Sequence, residues 1–473
     1  MSGRSRKIVT AAEEVGLVAA LTHEGEGIVR GGSLREPARQ PAGGPIPPQD
    51  AGKTAFVVGA LPGETVRFRR RSRHRQHDEA ELLEVLDPSP ARVVPRCAHF
   101  GVCGGCALQH LQPEAQLENK QTQLRDNLER IGRVTPERWL EPLRGPVWAY
   151  RRRARLGSKF VTRKDRVVVG FRERLAPYVA EVSRCEVLAA PVGELIAPLA
   201  AMLNGLSIRQ RIPQIEVAVA DNAVALVLRV LDPPGADDLR CLREFAAAHA
   251  LRFYLQPGGL ETVRPLDDDA GTPVEPLYYG LPRFELKLQF APTDFVQINA
   301  RINEDLVSTA VELLELEASS SVLDLFCGLG NFTLPLARRA GRVVGVEGEE
   351  GLVERARQNA RRNDISNAQF HVADLAGPLD SGLPWLQHPY TQVLLDPPRA
   401  GAAAVLERIG RLRPRRMLYI SCHPGSLARD LGTLVHDQGM KLVAAGVLDM
   451  FPHTTHVESL AVLEPAARRG RTG

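Results

Sequence analysis

The period of the apolar positions changes along the chain, and three regimes follow one another. Between residues 16 and 86 short runs alternate apolar and polar side chains, as half-buried strands do, with Gly25, Gly27, Gly59 and Gly63 as punctuation. The runs 55–58 and 65–69 are expected strands of a small β-barrel. Residues 31–52 contain Gly43-Gly44-Pro45 and Pro47-Pro48 and read as a flexible insertion in its first hairpin. An amphipathic helix is expected over 113–131. From about residue 150 to 290, strand-like runs such as 215–219 and 223–230 alternate with helical ones such as 238–250, which predicts a mixed α/β region. From about residue 299 the order becomes helix, strand, glycine-rich loop, helix, strand, the pattern of a doubly wound parallel sheet. The expected fold class is therefore multidomain α/β: an OB-like barrel over 1–90, a central α/β domain over 91–295, and a Rossmann-like domain over 296–473.

Composition narrows the classes. The 473 residues are too many for one core, and 44% hydrophobic residues can fill several. No run of about 18 apolar residues could span a bilayer, and the first residues lack a signal peptide's apolar stretch. A cytoplasmic location and no membrane partner are expected. Seven cysteines then suit ligands, nucleophiles or filler better than disulfides. The net charge is only +4, but arginines cluster at 67, 69, 70, 71, 73 and 75, at 151, 152, 153 and 155, and at 411, 413, 415 and 416. Such clusters suit a phosphate backbone, with solvated surface as the alternative for each.

Candidate chemistry lies in the third regime. The apolar run 321–325 leads into Phe326-Cys327-Gly328-Leu329-Gly330-Asn331 and then a helical pattern over 332–339. A second strand, 342–346, ends in Glu347, about 20 residues beyond the loop, where a carboxylate can accept from both ribose hydroxyls. S-adenosylmethionine fits this composite. NAD is the alternative cofactor, although Thr333 stands where its fingerprint wants a small residue. The strand 391–395 ends at Asp396-Pro397-Pro398-Arg399-Ala400-Gly401. The strand 417–421 delivers Cys422 to the same edge, before a helical segment 426–431 whose amides are expected to stabilise a thiolate. Cys327 and Cys241 read as structural. A cysteine nucleophile fits methylation at carbon 5 of uracil, because thiolate addition at carbon 6 turns a weak carbon nucleophile into an enolate. The carbon 5 proton must later leave, and Glu458 is the candidate base. His453 and His456 read as parts of a packed polar turn rather than metal ligands.

Cys97, Cys103 and Cys106, with Gly101, Gly104 and Gly105 among them, form a tight loop, and Cys185 offers a fourth thiolate. The spacing leaves zinc and a 4Fe–4S cluster both open, the five-residue gap favouring the cluster.

These residues together resemble the RNA 5-methyluridine methyltransferases, most closely their 23S ribosomal RNA branch. The likeness runs over nearly the whole chain: a TRAM-like barrel at 23–86, the cysteine cluster, Pro292-Thr293-Asp294-Phe295-Val296-Gln297, and the segments 324–332, 396–401, 421–422 and 449–458. The resemblance implies S-adenosylmethionine contacts at Gln297, Phe326, Asn331, Glu347 and Asp374, with Asp396 against both uracil and cofactor. It implies Cys422 as nucleophile, Glu458 as base, and Cys97, Cys103, Cys106 and Cys185 as 4Fe–4S ligands. Because the related transfer-RNA enzymes lack both barrel and cluster, it implies 23S ribosomal RNA as partner, with no protein partner and a monomeric chain. A transfer-RNA substrate, or an RNA-binding ribosome-assembly factor without turnover, is the alternative. An amino-group or cytosine methyltransferase is disfavoured by Arg399. Two departures stand out: His423 replaces the family's usual Asn, and Thr455 its usual Gly.

Overall fold

The computed structural model describes residues 6–7, 12–31, 53–267, 274–377, 380 and 382–466. Most of the expected flexible insertion, 32–52, lies outside the described residues. Two compact units emerge. One holds the described residues up to Asn119 together with His453–Thr455, and the other holds Lys120–Pro452 and the described residues from His456 onward.

In the first unit lie β1 (Arg6–Lys7), β2 (Glu13–Leu21), β3 (Glu26–Val29), β4 (Ala55–Val58), β5 (Thr65–Arg73) and β6 (Asp78–Asp87). Strands β2 to β6 close into a barrel, because β5 pairs with both β2 and β6. Alternation along β4 turns Ala55 and Val57 inward, where they meet Val18, Val29, Val66, Phe68 and Ala80. Gly16 is required where β2 crosses this core, since a Cβ there would lie 2.5 Å from Val29 Cγ1. The expected OB-like barrel is thus present. The carboxylate of Glu64 is fully buried in it. Arg92 donates to both of its oxygens, from Nε at 2.5 Å and Nη2 at 2.7 Å, and the Leu61 amide donates at 2.8 Å.

The second unit begins within α1 (Pro113–Asn127) and continues through β7 (Arg138–Trp139) into a six-stranded sheet. That sheet comprises β8 (Arg153–Val161), β9 (Arg166–Gly170), β10 (Gln214–Val219), β11 (Val224–Arg229), β12 (Leu251–Gln256) and β13 (Arg264–Pro265), with α2 (Ile196–Asn204) and α3 (Ala236–His249). The expected elements at 215–219, 223–230 and 238–250 are β10, β11 and α3. A hairpin of β14 (Leu277–Leu281) and β15 (Leu286–Phe290) follows, and it is tied back by Asp221, whose Oδ2 accepts from the Gly280 amide at 2.8 Å.

The remaining elements are α4 (Ala300–Leu313), β16 (Ser321–Leu325), α5 (Thr333–Ala337), β17 (Arg342–Glu347), α6 (Glu350–Arg362), β18 (Ala368–Val372), β19 (Gln392–Leu395), α7 (Ala403–Leu412), β20 (Arg416–Ser421), α8 (Pro424–His436), β21 (Met440–Leu448) and β22 (Glu458–Pro465). Their sheet has the order β18-β17-β16-β19-β20-β22-β21-β7, parallel from β18 to β20 and antiparallel at β22. Strands β16, β19 and β20 read as continuous apolar runs because helices cover both faces. The order reverses between β16 and β19, so a crevice opens at their carboxyl ends, where such sheets hold ligands. Helix α5 is five residues long, shorter than the expected 332–339. Its end tightens at once, with the Arg338 amide donating to Pro335 O at 3.2 Å.

Removing Arg92 leaves the Glu64 carboxylate buried without its cation. Arg92→Ala is expected to lower stability by about 3 kcal/mol, read as a shift in the urea midpoint of the barrel transition, and a shift under a third of that would refute the role given to this pair.

Candidate active site

The cofactor loop is shaped by backbone constraint. Phe326, Gly328 and Gly330 have φ of 65°, 55° and 98°, and a Cβ on Gly330 would press on Leu334 at 3.1 Å. The amides of Phe326 and Cys327 both donate to Val346 O, which holds the loop against the end of β17. There Glu347 accepts from the Gly328 amide at 3.1 Å and the Gly348 amide at 2.7 Å, so its carboxylate stands at the loop. Thr333, too large for a dinucleotide fingerprint, serves the neighbouring strand instead, where its hydroxyl donates to Asp324 Oδ2 at 2.5 Å. Asp324 is fully buried, and its other oxygen has no hydrogen-bond partner. Burial, with some contribution from Asp396 and Glu347, pushes it up to about 8. Asn331 pairs reciprocally with Asn303 on α4, at 3.0 and 2.9 Å, and also receives the Tyr279 hydroxyl at 2.9 Å. Gln297 lines a small cavity with Tyr279, Asn303 and Arg152. Asp374 lies exposed just past β18, where Oδ1 accepts from the Ala376 amide at 2.9 Å.

Asn359 links this loop to the hairpin behind it. Its amide donates to Leu329 O at 3.2 Å and to Gln289 O at 3.0 Å, while Oδ1 accepts from the Gln289 amide. The strand pattern singled out neither Asn359 nor Tyr279 nor Asn303. Their roles depend on contacts across more than 25 residues.

Strands β19, β20 and β22 are neighbours, and each brings one of the expected site residues to the same edge. Asp396 follows β19, Cys422 follows β20, and Glu458 opens β22. The register pairs Ser421 with Ser459, so Cys422 and Glu458 flank one rung, and Ser459 Oγ donates to Ser421 O at 3.2 Å. Burial pushes Asp396 up to about 7. Burial and the nearby Asp396 push Glu458 up to about 8, while the Lys120 cation pulls it down. Lys120, buried on α1, donates to Asp449 at 2.7 Å and to Phe451 O at 2.9 Å. The Pro397–Ala402 loop is braced by Asp430, which accepts from the Tyr419 hydroxyl at 2.6 Å and the Ala402 amide at 2.8 Å. Arg399, on that loop, reaches His456 Nδ1 at 3.2 Å.

One expectation is corrected here. The helix amides do not hold Cys422 as a thiolate: burial, then Glu458 and Asp396, push the thiol up to about 11. The start of α8 is occupied instead by His423, whose Nδ1 accepts from the Ser426 amide at 3.1 Å. An asparagine side chain would accept in the same way, so this departure from the family pattern keeps its capping function. Cys327 is buried, as expected for a structural thiol, whereas Cys241 is only half-buried.

In the first unit, His453 is buried, its carbonyl accepts from the Ala107 and Leu108 amides, and Gln116 bonds its amide and ring nitrogen. This is the packed polar turn expected. Thr455 lies against Gly25, where a Cβ would come 2.8 Å from its methyl group. In the cysteine loop the Gly105 amide donates to Cys103 Sγ at 3.4 Å, and Cys97, Cys103 and Cys106 are half-buried, as is Cys185 in the second unit. Among the described residues no group of three or more His, Cys, Asp or Glu side chains is gathered to hold a metal ion. Nor is any helix among them long and apolar enough to cross a membrane.

A parallel sheet with a glycine loop at its switch point and an acid, a thiol and a second acid on adjacent strand ends is the arrangement of a methyltransferase. The family model "tRNA (Uracil-5-)-methyltransferase" matches residues 283–376 and 381–466. The chain is 48% identical over 448 residues to the protein of Xanthomonas euvesicatoria described as 23S rRNA (uracil(1939)-C(5))-methyltransferase RlmD, covering 94% of this chain and 96% of that one. It is 48% identical to the Alkalilimnicola ehrlichii protein of the same description, over 99% of this chain and all of that one. The chain belongs to the RNA uracil-C5-methyltransferase family. The crystal structure of a Pyrococcus abyssi tRNA (uracil-54, C5)-methyltransferase in complex with S-adenosyl-L-homocysteine has the same fold, with a TM-score of 0.67, 22% identity and coverage of 95% and 100%.

The raised carboxyls set a pH dependence. Asp324, Asp396 and Glu458 each hold a proton more tightly in the fold than in the unfolded chain. The stability this gives is complete below about pH 4 and is lost as pH rises through about 7 to 8. Urea stability of the ligand-free protein is therefore expected to fall between about pH 5 and 8, and Asp324→Asn should flatten that slope. A rising profile in the same window would refute the burial of these groups.

Proposed function

We propose that the chain transfers a methyl group from S-adenosylmethionine to carbon 5 of a uridine in 23S ribosomal RNA, with Cys422 as covalent nucleophile. The observation that carries the reading is the convergence of Asp396, Cys422 and Glu458 on three adjacent strand ends beside the cofactor loop. The ribosomal substrate is taken from the two relatives, which match nearly end to end. Gln297, Phe326, Asn331, Glu347 and Asp374 would contact the cofactor, and Asp396 would lie between cofactor and uracil.

The high pKa of the thiol and of its acidic neighbours suits this order of events. At rest the buried edge is held near neutrality by protons on Cys422, Glu458 and Asp396. Loss of the Cys422 thiol proton to solvent, which a bound sulfonium cation would favour, gives the thiolate that would add to carbon 6 as the pair of the 5,6 double bond moves out to the carbonyl at carbon 4. The enolate's carbon 5 takes the methyl group and releases S-adenosylhomocysteine. Glu458, once it has given its own proton to solvent, would then remove the carbon 5 proton. The electron pair left behind restores the double bond and expels Cys422 as thiolate.

Separate steps give separable variants. Cys422→Ala is expected to abolish methylation while leaving S-adenosylmethionine binding largely intact. Glu458→Gln is expected to stall after methyl transfer, leaving a protein–RNA adduct that survives denaturing electrophoresis. RNA carrying 5-fluorouridine at the target should trap the unaltered enzyme, because fluorine cannot leave as a cation. Absence of that adduct from active enzyme, together with turnover by Cys422→Ala, would overturn the nucleophile assignment.

A 4Fe–4S cluster held by Cys97, Cys103, Cys106 and Cys185 is part of the same proposal. Its support is the sequence spacing of Cys97, Cys103 and Cys106 and the Gly105 amide turned to Cys103 Sγ, and no catalytic step is routed through it. Anaerobically purified protein is expected to be brown and to lose absorbance on oxidation. Colourless protein with one equivalent of zinc would refute the cluster.

A further inference from the structure

Tyr279, on the hairpin behind the glycine loop, is a half-buried phenol that the mechanism above does not use. Its hydroxyl finds Asn331 Oδ1 at 2.9 Å. The same oxygen receives the Asn303 amide at 3.0 Å, and Asn331 returns one of its own N–H groups to Asn303 Oδ1 at 2.9 Å. Asn331 therefore has three of its four hydrogen-bonding positions filled. Its carbonyl oxygen, which has two lone pairs, accepts twice, and one of its two N–H groups donates. What is left over is a single N–H.

The orientation of an asparagine amide is ordinarily open to a flip that exchanges oxygen and nitrogen. Asn303 alone does not forbid it, since flipping both amides would restore a reciprocal pair. Tyr279 opposes it. The phenol has one proton to donate, and a flipped Asn331 would present N–H to that hydroxyl and leave the phenol proton without its acceptor. Burial pushes the Tyr279 pKa far up, so the phenol stays protonated and remains a donor. The hairpin cannot easily move away, because Asp221 anchors it at Gly280 and Asn359 joins it to Leu329.

We infer that Tyr279 is a positioning residue: with Asn303 it fixes the Asn331 amide so that an N–H, not the carbonyl, faces the bound cofactor. The group recognised there is consequently a hydrogen-bond acceptor, such as a carboxylate or ribose oxygen of S-adenosylmethionine. This rests on the reading of Asn331 as a cofactor contact.

Binding of S-adenosylhomocysteine, measured by calorimetry on the full chain, tests it without reference to turnover. Tyr279→Phe keeps the ring that packs 6.0 Å from Phe290 and removes only the hydroxyl. It is expected to weaken binding about three- to tenfold, and to raise KM for S-adenosylmethionine by the same factor with kcat at saturation unchanged. In an Asn331→Ala background the Tyr279→Phe substitution should change nothing further, because the amide it orients is gone. Wild-type affinity in Tyr279→Phe, losses that add in the double variant, or a fall in kcat without a rise in KM would each overturn the proposal. If the unaltered protein bound no S-adenosylhomocysteine at all, the cofactor reading itself would fall, a different and distinguishable result.

Discussion

Acidic groups buried at one edge of a parallel sheet are the constraint to which the rest of this site answers. Asp324 and Asp396 lie at or near the carboxyl ends of β16 and β19, Glu458 opens the antiparallel β22 at the same edge, and a low-dielectric crevice disfavours more than one negative charge there. The fold meets this in two ways. Protons remain on the carboxyls, and the buried Lys120 supplies a cation that is itself fixed by Asp449. The thiol of Cys422 inherits the same environment. Burial first, and then the neighbouring acids, push it up.

That inheritance explains which parts of the site could be read from sequence. The glycine loop, the Asp-Pro-Pro turn and the Ser-Cys pair are local signatures: each sits at a strand end and is set by a few consecutive residues. They were legible, as were the barrel, the strands β10 and β11 and the doubly wound order. The state of Cys422 was not, because helix amides are visible along the chain while Glu458, 36 residues away in sequence, acts through space. Lys120, Tyr279, Asn303 and Asn359 were missed for the same reason. None stands in a distinctive local pattern, and each gains its role from a partner on another element.

Charge clusters show the limit of composition. The arginines of β5 look like a phosphate clamp in sequence, yet Arg67, Arg69, Arg70 and Arg71 each meet a carboxylate on a neighbouring strand: Glu84 at 3.3 Å, Glu13 at 2.8 Å, Glu14 at 2.7 Å and Glu81 at 3.2 Å. Arg152 and Arg155 pair likewise with Asp221 and Glu216. The clusters are balanced strips rather than bare positive patches, and the net charge of +4 from 60 basic and 56 acidic residues understates both signs.

The two departures from the family pattern are absorbed where they occur. His423 keeps a nitrogen lone pair on the Ser426 amide, so α8 still starts at the residue after His423, and Cys422 stays on the strand end. Thr455 exploits space that Gly25 leaves, at a position with φ of 79° where a side chain would in any case be strained. His423 thereby meets the same backbone requirement as the residue it replaces, an acceptor for a helix amide, while Thr455 is accommodated by the missing side chain of Gly25. The reacting groups are untouched because the substitutions fall on the frame that fixes their backbone, and that frame asks for hydrogen-bonding capacity and volume rather than for a particular residue.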